Sequence, residues 1–243
     1  VLPRAILFDL DDTLISAYNR PERAWKEIVH EFTDDLDDLE PMEAADAINL
    51  AAAGFWADAS RHKAGRLHLL DARTAIIQEA FDSLARRGRP SPRPGVAPRM
   101  AARYNAYRNE RMHLFEGALD VVDTFRAKGV RLALITNGAA EPQRAKVERF
   151  DLTHRFHHIQ IEGEHGFGKP EERAYLHAMR VLDVEPADTW MVGDNLEWEI
   201  IAPQRLGIHA IWHDVVGEGL PAGTPARPDR IIRALPELLD GIA

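Results

Sequence analysis

The chain has 243 residues, 45% of them hydrophobic, with 39 acidic side chains against 30 basic ones and a net charge of −9. That length and composition suit one large domain or two smaller ones with a real core, and argue against wholesale disorder. The charge argues against a nucleic acid polymer or an anionic membrane as partner, and the absence of cysteine removes disulfides, thiolate metal sites and Cys nucleophiles.

Val1-Leu2-Pro3-Arg4 leads directly into an apolar run without a signal-peptide core, and no run approaches the ~20 residues of a membrane span. A cytoplasmic protein is the expectation. Ala5-Ile6-Leu7-Phe8 reads as a buried strand of a parallel sheet, and it runs into Asp9-Leu10-Asp11-Asp12-Thr13-Leu14. Clustered carboxylates repel one another, so this string suits the carboxyl end of a strand, where open α/β sheets hold ligands, and best of all a bound cation.

The next stretch reads as helical. Pro21 to Phe32 places Trp25, Ile28, Val29 and Phe32 on one face, a core stripe. Residues 33–38 form an acidic turn lacking the Gly and distal Glu of a calcium loop. Further helices are expected from Pro41 to about His62, Asp71 to Arg87 and Val96 to Leu114, with a Gly/Pro loop at residues 88–95. Residues 18–112 carry balanced charge, so the acidic excess belongs to the flanking sequence.

From Gly117 onward strand and helix alternate. The expected helices are Asp120 to Lys128, Glu141 to Phe150, Pro170 to Leu182 and Leu235 to Leu239. The expected strands are Val130 to Ile135, His158 to Ile161, Thr189 to Val192, Gly207 to Trp212 and an edge strand, Arg230 to Ile232. Such alternation implies a parallel sheet with right-handed crossovers. The fold class is therefore α/β, with a core formed by residues 1–16 and 115–243 and a helical domain at 17–114.

Three more signals sit just past strands: Thr136-Asn137-Gly138, Gly168-Lys169-Pro170 and Gly193-Asp194-Asn195. Singly each has a bland reading as a turn, a surface lysine or a helix cap. In this order, after Phe8-Asp9-Leu10-Asp11-Asp12-Thr13-Leu14, the chain resembles the haloacid dehalogenase-like superfamily. The resemblance runs from end to end, and the helical stretch between the first two motifs looks like that family's helical-bundle cap. It implies a Rossmann-like core and chemistry through an aspartyl-enzyme intermediate.

On that reading Asp9 is the candidate nucleophile and Asp11 the candidate acid/base, worth roughly 10²–10⁴-fold. Thr136, Asn137 and Gly138 are expected to hold phosphate oxygens and Lys169 to supply positive charge. Asp194, Asp9 and the Asp11 carbonyl are expected to hold Mg²⁺, because Lys169 alone cannot offset the carboxylates. Asp12 and Thr13 are assigned to the turn. Many relatives carry Asp where this chain has Glu199, which is expected to support the metal from behind the ligands, with Glu197 its rival. Pro203 deprives the Glu199 carbonyl of a donor and should bend that helix.

His154, His157 and His158 cluster without metal-site spacing and read as a solvated approach to a strand. His165 precedes the Lys169 loop and is a candidate to reach substrate. Tyr18, His62, Lys63 and Arg66 are candidates for a substrate's distal group or for a solvated helix face. The leading expectation is a Mg²⁺-dependent phosphatase of a small phosphorylated metabolite. A 2-haloacid dehalogenase, a phosphomutase of the same fold and a regulatory protein with a vestigial site remain open. The loop Glu162-Gly163-Glu164-His165-Gly166-Phe167-Gly168-Lys169 is similar to that of nucleotidase and sialic-acid phosphate phosphatases. Oligomeric state has no signal here.

Overall fold

The structure is a computed structural model, and it describes residues 2–18 and 21–242. Residues 1, 19, 20 and 243, which fall at the ends of the expected core and near the start of the expected helical domain, lie outside the described residues. The chain forms two units, Val1–Ala17 with His113–Ala243, and Tyr18–Met112.

Strand β1 (Ala5–Phe8) opens the first unit, followed by the short β2 (Ile15–Ser16). The second unit then supplies α1 (Pro21–Glu31), a 3-10 turn at Thr33–Asp35, α2 (Pro41–Ala57), α3 (Ala59–Gly65), α4 (Leu69–Arg86) and α5 (Val96–Arg111). The first unit resumes with β3 (His113–Leu114), α6 (Ala118–Ala127), β4 (Arg131–Thr136), α7 (Ala140–Arg149), β5 (His158–Ile161), α8 (Glu162–His165) and α9 (Glu172–Leu182). It ends with β6 (Thr189–Gly193), a π-helical turn at Leu196–Ile201, α10 (Ala202–Arg205), β7 (His209–His213), β8 (Arg230–Ile232) and a 3-10 helix at Leu235–Leu239.

The six-stranded sheet has the order β5-β4-β1-β6-β7-β8, and every pair is parallel. Residues on alternate positions serve opposite faces, as the pleat demands. Ala5, Leu7, Ala133, Ile135 and Met191 meet Tyr175, Ala178, Met179 and Leu182 of α9. On other strand positions Phe8 meets Phe156 edge-on and Trp190 meets Phe125 edge-on. With both faces covered, β1 and β4 are almost wholly apolar, as expected of a buried parallel sheet.

The helical unit has its own core. Trp25 stacks on Tyr104 with centroids 4.2 Å apart, and Ile28, Val29, Ile48, Ile77 and Met100 fill the space around them. The expected Trp25 stripe is therefore core, and Phe32 packs against its margin.

Four expected elements change. The single helix from Pro41 to His62 breaks at Asp58, whose extended backbone and side chain, accepting from Arg61 N at 2.8 Å, start α3 afresh. The last expected helix stops at Arg111, since His113 and Leu114 pair antiparallel with Ser16 and Ile15. The helix expected at Pro170 begins at Glu172, because Lys169-Pro170 belongs to a turn. Near Pro203 the chain winds into the π-helical turn, where Ala202 N–H reaches back five residues to Glu197 O. Without a proline N–H the ordinary ladder cannot continue there.

Among the described residues no helix is long and apolar enough to cross a membrane. Replacing the cap residue, Asp58→Ala, is expected to lower stability by about 1 kcal/mol, read as a lower urea midpoint for helix unfolding.

Candidate active site

Register brings the first motifs together. Phe8 pairs with Leu134 on one side and Val192 on the other, so β1, β4 and β6 end side by side. Asp9 and Asp194 lie just beyond the ends of β1 and β6, and Thr136 is the last residue of β4. Asp9 N–H donates to Val192 O at 2.9 Å, which fixes the start of the loop to its neighbour.

Asp9 is 7% exposed. Its Oδ1 accepts from Lys169 Nζ at 2.5 Å and its Oδ2 from Thr13 Oγ1 at 3.1 Å. Thr13 therefore orients Asp9 from within the turn. Asp12 adopts φ 57°, a conformation Asp tolerates, and its side chain accepts from Ala17 N at 2.8 Å.

Lys169 is 0% exposed, and its ammonium lies between Asp9 and Glu199, with Glu199 Oε1 at 2.8 Å. Burial disfavours that charge, but the two carboxylates outweigh it and hold the Lys169 pKa above its ordinary value. Glu199 Oε2 accepts from Asn195 N at 2.7 Å. Burial pushes the Glu199 carboxyl up to about 7, with Lys169 opposing the rise and Asp9 adding to it. Burial also raises Asp9, against the pull of Lys169. Asp194 is raised well above the usual carboxyl range by burial, then by Glu199, Asp9 and Asp12.

Asp9 and Glu199 thus hold a single buried ammonium between them, and Asp194 is a third carboxylate close enough to feel its charge. Their donor atoms are all oxygen, the set that a hard divalent cation such as Mg²⁺ prefers. The oxygen chemistry of Asp9 and Asp194 suits such an ion, while Glu199 is taken up by Lys169 and the Asn195 N–H.

Two glycines permit this packing. A Cβ on Gly193 would lie 2.0 Å from Glu199 Cγ. One on Gly168 would lie 2.5 Å from Asn137 Oδ1 and 2.8 Å from Glu162 Cδ. The Asn137 amide clamps the Lys169 backbone, donating to Lys169 O at 2.7 Å and accepting from Lys169 N at 2.9 Å. Gly138 N–H donates to the buried Glu162 Oε2 at 3.0 Å. The expected phosphate loop therefore spends its Asn137 side chain and Gly138 amide on holding the Lys169 loop.

Asp11 is held by different partners. Lys146 Nζ donates to its two oxygens at 2.7 and 2.8 Å, and Gln143 Nε2 donates at 2.9 Å. The second amide proton of Gln143 goes to Thr136 Oγ1, so one side chain bridges Asp11 and Thr136. The Asp11 side chain is committed to α7, which leaves its backbone carbonyl as the group able to face a cation.

The family model described as haloacid dehalogenase-like hydrolase matches residues 3–207. The chain belongs to this family. It is 29% identical to the rat (Rattus norvegicus) N-acylneuraminate-9-phosphatase over 98% of its own length and 94% of the relative's. It is 37% identical to a phosphoserine phosphatase of Thermus thermophilus, a match spanning 46% of this chain and 45% of that one. The fold is similar to that of a HAD hydrolase of Bacillus subtilis described with bound magnesium, at a TM-score of 0.68 and 21% identity, covering 98% of both chains.

In this haloacid dehalogenase-like chain the structure brings Asp9, Lys169 and Glu199 into direct contact. Glu197 instead lies at the surface, 3.8 Å from Arg205. The histidines do not group as their order suggests. His154 is exposed, and His157 Nδ1 accepts from Leu132 N at 3.0 Å. His158 and His165 join His177 instead. In the helical unit His62 Nδ1 bonds Trp56 O at 3.1 Å, Arg66 is buried, Lys63 is exposed, and Arg73 and Arg108 lie over the Tyr18 ring.

Sequence reasoning missed Gln143, Lys146 and Glu162. The first two stand three apart, one helical turn, and therefore share a face of α7, but that helix is polar almost throughout and offers no contrast.

The Asp194 carboxyl gives a test with a definite sign. Its folded pKa lies well above the ordinary value for an aspartate, so the metal-free fold binds more protons than the unfolded chain between these limits. Stability should fall as pH rises through that window. Asp194→Asn removes the titration and is expected to raise the melting temperature of EDTA-treated protein at pH 8, with a smaller gain at pH 4.

Proposed function

We propose that the protein is a Mg²⁺-dependent phosphomonoester hydrolase acting on a small phosphorylated metabolite through an aspartyl-phosphate. The carrying observation is Asp9 held against the fully buried Lys169, with Asp11 two residues away on a separate set of partners.

An Asp9 oxygen attacks phosphorus, and the P–O bond to the leaving group breaks as the departing alkoxide oxygen takes the Asp11 proton. Water then attacks the phosphorus of the acyl phosphate, gives its proton to Asp11, and releases phosphate and free Asp9. Thr136 Oγ and the Lys169 ammonium receive phosphoryl oxygens, whose charge grows during transfer. In the structure Asp11 accepts from Lys146 and Gln143, so it must leave Lys146 and take up a proton before it can deliver one. Glu199 acts through Lys169, setting the height and direction of its ammonium. Asp9, Asp194 and the Asp11 carbonyl would hold Mg²⁺, which when bound supplies Lewis acidity and cancels charge between carboxylates and phosphoryl group.

A haloacid reaction fits these residues less well. Halide leaves without a proton, so neither the Lys146–Asp11–Gln143 arrangement nor a cation has a task there. The helical unit is inserted in sequence between Asp11 and Thr136, and we assign it the role of substrate-reading cap. The rat relative's name makes acidic sugar phosphates the first substrates to try, ahead of phosphoserine, whose namesake matches over about half of this chain.

Activity on p-nitrophenyl phosphate and on such a panel is expected with Mg²⁺ and to vanish in excess EDTA. Turnover of 2-chloropropionate without metal, or full phosphatase activity in EDTA, would overturn the reading. Asp9→Asn should abolish turnover. Asp11→Asn should slow it by about 10²–10⁴-fold while an acid-stable phosphoenzyme accumulates in quench experiments.

A further inference from the structure

We infer that His158, His165 and His177 form a second metal site, for a borderline ion such as Zn²⁺, separate in its ligands from the carboxylate site. The three imidazoles come from edge strand β5, helix α8 and helix α9, and their ligand atoms all lie within 4.8 Å of one another. Ring centroids are 5.3 Å apart for His158–His177 and His165–His177, and 5.9 Å for His158–His165. Zn–N bonds of 2.0–2.1 Å in a tetrahedron need nitrogens about 3.4 Å apart, which small ring rotations supply.

Hydrogen bonds set two of the tautomers. His165 Nδ1 lies 3.2 Å from Ile161 O, an oxygen that only accepts, so Nδ1 carries the proton and Nε2 the lone pair. His177 Nδ1 lies 2.9 Å from Gln160 Oε1. That oxygen is identified because Gln160 Nε2 donates to Ala174 O at 3.0 Å, leaving Oε1 to accept from His177. Both imidazoles therefore present Nε2 as a donor of electrons, with Nδ1–H anchored to an oxygen, the support that metal-binding histidines use. The third, His158 Nε2, is buried with no hydrogen-bond partner.

Simple aromatic packing explains part of this arrangement, since Phe167 sits edge-on to His165 and His177. It does not explain a polar nitrogen buried unpaired, which costs free energy unless something answers its lone pair. Burial first, and then the neighbouring imidazoles, hold His158 below the ordinary histidine pKa against a hydrogen bond with Gln160, and burial, His165 and Arg180 do the same for His177, favouring the neutral state that binds metals. An all-imidazole set selects zinc, nickel, cobalt or copper over magnesium, so the ion class differs from that of the carboxylates.

The site has a structural consequence. His165 and His177 flank the turn that carries Gly168, Lys169 and Pro170, and His158 anchors it to the sheet. A bound ion would tie both sides of the Lys169 loop to β5.

The inference does not rest on the phosphatase reading and is tested without turnover. Tag-free protein is stripped with EDTA, desalted and titrated with ZnCl₂ in excess Mg²⁺, by calorimetry and elemental analysis. One tightly bound zinc is expected in the wild type and in Asp194→Asn, and none in His165→Gln or His177→Gln that retain the wild-type circular dichroism. Unchanged zinc binding in both histidine variants, loss in Asp194→Asn alone, or no stoichiometric zinc at micromolar free metal overturns the proposal. Should the histidine variants fail to fold, X-ray absorption at the zinc edge of the wild type decides. Three imidazole scatterers support the site, and an all-oxygen shell refutes it.

Discussion

Everything at the active end of the sheet depends on one buried cation. Lys169 has no access to water, so its charge survives only because Asp9 and Glu199 take opposite sides of it. Removing either partner would leave an ion stranded in the interior, a far larger penalty than losing a surface pair. That requirement reaches outward. Glu199 can pass only because residue 193 has no side chain, and its helix winds loosely there, with Tyr175 OH bonded to Trp198 O. Asn137, just past β4, holds the backbone on which Lys169 rides, and Glu162, just past β5, holds the amide of the adjoining Gly138.

The same cluster carries an electrostatic cost of its own. One lysine faces more carboxylates than it can neutralise, and burial raises the pKa of Asp9, Asp194 and Glu199 together. Folding pays this cost elsewhere, in the apolar strands and in helix α9. Such stored tension suits a site whose charge is to be completed by ligands, since binding then relieves repulsion that the fold already carries.

Much of this was legible in the sequence, and the reasons are local. The apolar run ending in Asp9 and the Gly-Asp at 193–194 each place an unusual residue just past a strand, parallel strands end together, and the Gly-Lys-Pro turn stands just before a helix. β5 and β8 took their expected bounds. What stayed hidden depends on contacts across the chain. Asn137 reads as a phosphate ligand until Lys169 is seen to occupy its amide, and Gln143 and Lys146 look like ordinary surface residues of a polar helix. His177 stands nineteen positions from His158, and no spacing rule links them. The role of Glu199 also needed three dimensions: its longer arm reaches Lys169 as well as the backbone of Asn195.

The two-stranded ribbon of Ile15–Ser16 and His113–Leu114 bears on how such a chain diversifies. Antiparallel pairing sets the outgoing and returning strands side by side, so the whole of Tyr18–Met112 is spliced in where a hairpin turn would serve. The closure entropy of a loop grows only with the logarithm of its length, and this insertion carries its own core. The sheet therefore tolerates a complete exchange of that segment. If that segment reads substrate as proposed above, substrate preference and bond-breaking chemistry are separately heritable, and one can be replaced without renegotiating the other.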